Sequence, residues 1–215
     1  MGLLKKLFGG KPTLSQVEPV APTAMDTKYG CQVAIQSDYL DRAHVLFEEL
    51  GYRLVEESKT IPHSALAEEL NRPTESKNIV RKAVFLNKGW THIYDPELVL
   101  MFDGVPWCQL TKDLQTRVVC WMVEARTGTV GFSLYENGER IREVIHYDSE
   151  SEEDGSRLLE EAGIDWKSAS EEDVFAVVTN LGVDSDPFGE DLTYHTYLLD
   201  ESEMETENED DPETG

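Results

Sequence analysis

No apolar run in this chain reaches the roughly 18 residues that a spanning helix requires. The start also lacks the apolar core of a secretory signal, so none is expected. Cysteine is scarce: Cys31, Cys108 and Cys120 are far apart, odd in number and without a Cys-x-x-Cys pair. That excludes a disulfide framework and fits a reducing, cytoplasmic setting. Positive charge is the largest deficit. Against 43 Asp and Glu stand 19 Lys and Arg, a net charge of −24, so the basic footprint that direct nucleic-acid binding needs is missing. Catalytic signatures are missing too: no His-Glu-x-x-His, no Gly-x-Ser-x-Gly, no phosphate loop and no dinucleotide fingerprint. His44, His63, His92, His146 and His195 show no metal-ligand spacing, and no metal or cofactor is expected. The acidic run 148–154 fails as an EF-hand loop, since its sixth position is Glu153 instead of Gly and its twelfth is Leu159. It reads as a solvated loop.

What is present is a chain of 215 residues, 40% hydrophobic, long enough for one sizeable core and too short for two ordinary domains plus tails. Charge divides it unevenly: residues 1–100 hold 12 basic and 13 acidic side chains, residues 101–215 hold 7 and 30. Repulsion on that scale favours a soluble monomer. Four segments are predicted. Residues 1–10 form a short amphipathic unit, with Leu3, Leu4, Leu7 and Phe8 on one side of a helix and Lys5 and Lys6 on the other. This suits weak contact with an anionic membrane surface. The same ten residues resemble the start of many bacterial cytoplasmic proteins, a likeness that identifies no family. Residues 11–26, with Pro12, Pro19 and Pro22, read as a linker. Residues 27–200 make a single domain, and 201–215 a disordered acidic tail.

The predicted fold class is α+β, with a mostly antiparallel sheet packed by a few short helices. Its clearest stretch is 116–147. There 117–123 is apolar at odd and even positions, as in a strand covered on both faces; 130–135 alternates; and Asn137-Gly138 calls for a type I′ hairpin turn. A two-residue turn would set Leu134 opposite Ile141, Val130 opposite Ile145, and Glu143 opposite Phe132. That last match is poor and points to a bulge or the sheet margin. Further strands are expected at 29–36, 52–56, 79–86 and 90–94, the last two joined by a three-residue turn at 87–89, and an edge strand at 192–199. Helices are expected at 38–50, 64–70, 107–114, 155–162 and 170–181, the last opened by Ser170 with Asp173 closing a capping box.

Functional candidates are few. His92 and Asp95 flank a strand end and are the residue types of an acid–base couple, although positions three apart on a strand diverge. Cys108 at a helix start, with a histidine such as His146, is the other catalytic candidate. Tyr135, Arg140 and Arg142 are expected together on the polar face of the hairpin, a basic and aromatic spot suited to anchoring a partner. The leading expectation is a non-enzymatic cytoplasmic binding or regulatory protein whose partner carries a basic surface. The alternatives are a small hydrolase with dispersed catalytic residues and an acidic mimic of nucleic acid.

Overall fold

The structure, a computed structural model, describes residues 30–202 except 103, 125 and 149. The expected amphipathic segment, the linker and nearly all of the acidic tail therefore lie outside the described residues. Nine strands are described: β1 (Gly30–Ile35), β2 (Arg53–Pro62), β3 (Ile79–Asn87), β4 (Trp90–Asp95), β5 (Arg117–Glu124), β6 (Thr129–Glu136), β7 (Glu139–Tyr147), β8 (Glu150–Gly155) and β9 (Thr193–Asp200). The helices are α1 (Ala43–Glu49), α2 (His63–Leu70), α3 (Gly104–Leu114) and α4 (Glu171–Asn180). All nine strands join one antiparallel sheet in the order β2-β9-β3-β4-β1-β5-β6-β7-β8.

The middle of the sheet is covered on both faces, and side-chain parity assigns each residue to one of them. On the first face Val33, Ile35, Val84, Ile93, Val118 and Cys120 pack under α1 and α3, whose Leu46, Phe47, Trp107 and Leu110 are buried with them. On the second, Ala34, Val119, Trp121, Phe132 and Leu134 meet Val174, Val177 and Val178 of α4. Farther along that face Leu66 of α2 closes over Ala83, Phe85, Tyr94 and Tyr194. Local chemistry sets the helix ends. The Asp173 carboxylate accepts from the Ser170 backbone N–H at 2.9 Å and its hydroxyl at 3.1 Å, opening α4. Helix α3 also fixes a turn: Thr111 Oγ1 accepts the Gly138 N–H at 3.1 Å, tying the β6–β7 connection to the helix.

The structure departs from the sequence expectations at five places. The β3–β4 turn has two residues, Lys88 and Gly89, because Asn87 pairs with Trp90; both have positive φ, +49° and +83°, as a type I′ turn needs. Strand β9 is interior, held between β2 and β3, instead of an edge; Tyr194 and Thr196 are buried on one of its faces and Tyr197 and Leu199 on the other. The edge at that end is β2, which runs on to Pro62. In the β6–β7 pair the register shifts between Leu134 and Tyr135, so Tyr135 faces Arg140, Leu134 faces Arg142 and Ile141 is the extra residue. Such a bulge sends every later residue of β7 to the opposite face. Finally, the acidic run 148–154 is neither loop nor approach to a helix. Residues 150–155 are the edge strand β8, and only the short turn Leu159–Glu161 is helical in the stretch predicted as a helix. Leu159 is exposed.

Candidate functional site

The bulge dismantles the expected basic and aromatic spot. Tyr135 is fully buried beneath α3. Arg142 has been turned to the other face, where its guanidinium grips the buried Glu161 through Nε–Oε1 and Nη2–Oε2, both 2.9 Å. It also bonds Glu153 at 2.5 Å and the carbonyls of Asp154 and Gly155 at 3.3 and 3.1 Å. Glu161 further accepts from Trp166 Nε1 at 2.7 Å and the Leu158 N–H at 2.8 Å. Burial pushes the Glu161 carboxyl up, but these donors outweigh it and hold it below the usual range. Arg142 is a structural clamp that fastens β8 and the segment after it to the sheet. Of the three residues only Arg140 reaches solvent, and it is paired with Glu143 at 2.8 Å and Asp154 at 2.7 Å.

The catalytic candidates do not meet. His92 lies on the second face, stacked on Phe85 (centroids 5.1 Å, 10° between planes) and edge-on to Trp121. It is fully buried, neither ring nitrogen has a hydrogen-bond partner among the described residues, and burial pushes its pKa down to about 4 despite Asp184. Asp95 lies on the first face. It is ion-paired with the fully buried Lys82 and accepts from the N–H groups of Val99 and Leu100, both at 2.8 Å, and Glu97 at 3.2 Å. Burial alone would push the Lys82 ammonium down, yet contact with Asp95 outweighs it and holds it well above the ordinary range. Lys82 also sits 5.1 Å from the centre of the Tyr52 ring. His146 faces the second side, opposite Val130, whereas Cys108 packs with α3 against the first. The sheet stands between the members of each suggested couple. Among the described residues no group of three or more His, Cys, Asp or Glu is arranged to hold a metal ion.

Two surfaces stand at the ends of the sheet. At one end of the sheet β8 presents Glu150, Glu152 and Asp154 on the first face, opposite Tyr147, Ile145 and Glu143 of β7, with Glu153 on the second. Nearly all of the strand is exposed, and among the described residues no strand pairs with its outer side. Strand propensity could not have revealed it, because glutamate is a weak strand former. At the other end an open cleft of about 460 Å³ lies between α1, β2 and β9. Asp41 and His44 line it from the α1 side, Ser58 and Thr60 from β2, and His195 and Tyr197 from β9, with Leu40 and Leu54 completing the wall. Its residues come from 40–44, 54–60 and 195–197, and the last stretch is too far away in sequence for any local motif to include it.

The architecture defines an α+β protein built on one antiparallel sheet with four helices. Compared with family models, with curated proteins and with solved structures, the chain matches none. No helix among the described residues is long and apolar enough to cross a membrane.

Proposed function

We propose that the chain is a non-enzymatic cytoplasmic binding or regulatory protein that engages a partner with a basic surface through the β7–β8 end of its sheet. The observation that carries this reading is the open side of β8, an ordered strand that pairs with no other strand on its outer side among the described residues and that carries Glu150, Glu152, Glu153 and Asp154. Edge strands recruit other strands through their backbone, and carboxylates along the edge select for lysine and arginine while raising the association rate. A second copy would set carboxylates against carboxylates, so the chain acts as a monomer. Arg140, tied to Glu143 and Asp154, holds two of the acids in place. The cytoplasmic setting rests on three free cysteines. The segment containing Leu3, Leu4, Lys5, Lys6, Leu7 and Phe8 would add loose contact with the inner membrane face.

Affinity capture with the full chain at low salt, followed by mass spectrometry, tests the reading. A partner retained by the native chain, released by salt, and lost from a Glu150→Gln, Glu152→Gln, Asp154→Asn variant supports it. Equal retention by the variant, or no partner at low salt, overturns it. The mimic reading is the case in which that partner binds nucleic acid; the roughly 7 Å spacing of alternate residues along a strand gives β8 an ordered row of charges. Competition by DNA for the captured partner identifies that case. For the membrane contact, deleting residues 1–10 should abolish flotation with anionic vesicles, and unchanged flotation removes it.

A further inference from the structure

Two register shifts interrupt β2 where it lines the cleft, between Leu54 and Glu56 and between Glu56 and Lys59. Bulges of this kind re-aim side chains at sheet edges. The cations of β2 are used elsewhere: Arg53 is paired with Asp200, and Lys59 with Glu56 at 3.2 Å and Glu69 at 3.6 Å. Among the described residues no lysine or arginine lines the cleft. Among the described residues its one formal charge is the Asp41 carboxylate, and Ser58, Thr60, His44 and His195 share the same lining. Asp41 also acts on Tyr197: burial pushes the phenol up, a hydrogen bond with Ser58 opposes that, and the Asp41 charge adds to the rise.

We propose that this cleft binds a primary ammonium group carried on a short apolar stem. An ammonium has three donors and no acceptor, and the wall offers a carboxylate with hydroxyl and imidazole acceptors. Leu40, Leu54 and the Tyr197 ring supply apolar surface for the stem. The volume falls within the range of small-ligand sites, about 300–1,000 Å³. A chain of net charge −24 draws cations toward such a site and repels anions. The same chemistry is found in a free alkylamine and in a lysine side chain of another protein. The site is independent of the β8 edge, which lies at the far end of the sheet.

The test follows the imidazole C–H resonances of His44 and His195 in the full chain by NMR at about 150 mM salt, where long-range attraction is screened. The probes are n-butylammonium, an N-acetyl-lysine amide and butyrate. Both cations should shift both histidines saturably, and Asp41→Asn should weaken binding about tenfold or more, as expected for loss of a charged hydrogen-bond partner. Asp41 is exposed, so the variant should fold, and its unliganded spectrum verifies this. Tighter binding of the lysine derivative assigns the site to a protein lysine, tighter binding of butylammonium to a free amine. The proposal is overturned by no saturable shift with either cation, by equal binding of butyrate, or by unchanged affinity in Asp41→Asn. It also falls if Glu150→Gln with Glu152→Gln weakens binding as much as Asp41→Asn, since the attraction would then belong to the whole molecule.

Discussion

Lys82 and Asp95 neutralise each other in the core, but their supports are unequal. Asp95 keeps three backbone donors if the lysine is removed, whereas Lys82 without Asp95 keeps the more distant Glu97, at 3.4 Å, and the Tyr52 ring. Asp95→Asn should therefore cost roughly 3–5 kcal/mol, the usual effect of stranding a buried charge, and Lys82→Met distinctly less; urea unfolding measures both. The same neighbourhood makes stability depend on pH. Burial pushes Glu97 up to about 7, Asp95 adding to the rise and Lys82 opposing it. The folded state therefore binds this proton more tightly than the unfolded chain, and stability held at acid pH is lost as pH rises from about 4.5 to 7. His92 acts with the opposite sign. Its folded pKa, near 4, lies below the unfolded value, so stability present above about 6.5 is lost as pH falls toward 4. Each effect is at most about 3 kcal/mol, and smaller for Glu97, a third of whose side chain meets solvent. Unfolding series from pH 4 to 8 should lose the first slope in Glu97→Gln and the second in His92→Leu. None of this was legible in sequence beyond the divergence of His92 and Asp95, which follows from strand parity alone.

Strand β8 depends on two features of its neighbours. One is the Arg142–Glu161 clamp; Arg142→Met leaves a buried carboxylate with only the Leu158 and Trp166 donors, and should cost about 3 kcal/mol. The other is Gly155, which has φ +80° and where a Cβ would come within 2.2 Å of the Ile141 carbonyl. Gly155→Ala should therefore loosen β8 without altering any charge. Hydrogen exchange distinguishes the element from the whole: β8 amides should lose protection in both variants while β1 and β5 keep theirs. These dependencies explain what could be read in advance. Val118 to Val123 are apolar in both phases, so β5 declared itself from sequence, as did α4 through Ser170 and Asp173. β8 did not, because its Glu153 is held by an arginine that reaches it only through the bulge at Ile141. That bulge was visible as the poor match of Glu143 with Phe132, although its position was not. The bulge puts Glu143 opposite Ser133 and Phe132 opposite Val144.

Across the whole molecule, the two proposed surfaces stand at opposite edges of the nine-stranded sheet. Eight interstrand spacings of about 4.8 Å separate β2 from β8, about 38 Å in all. Among the described residues no side chain or loop is shared by the two surfaces, so influence of one occupied site on the other is expected to travel through the electrostatic field. At about 0.15 M salt the screening length is near 8 Å, several times shorter than the separation; at 0.01 M it is about 30 Å, comparable with it. Both ligands are cationic and each neutralises part of the −24 charge that attracts the other. A lysine-rich peptide saturating β8 should leave the affinity for n-butylammonium unchanged within twofold at 0.15 M salt. At 0.01 M it should weaken that affinity measurably, with a reciprocal loss for the peptide, because coupling between two binding equilibria is symmetric. Calorimetric titration of each ligand with and without the other measures both directions. Strong coupling at 0.15 M would mean that the sheet changes shape on binding, against the rigid, doubly covered centre formed by β4, β1 and β5.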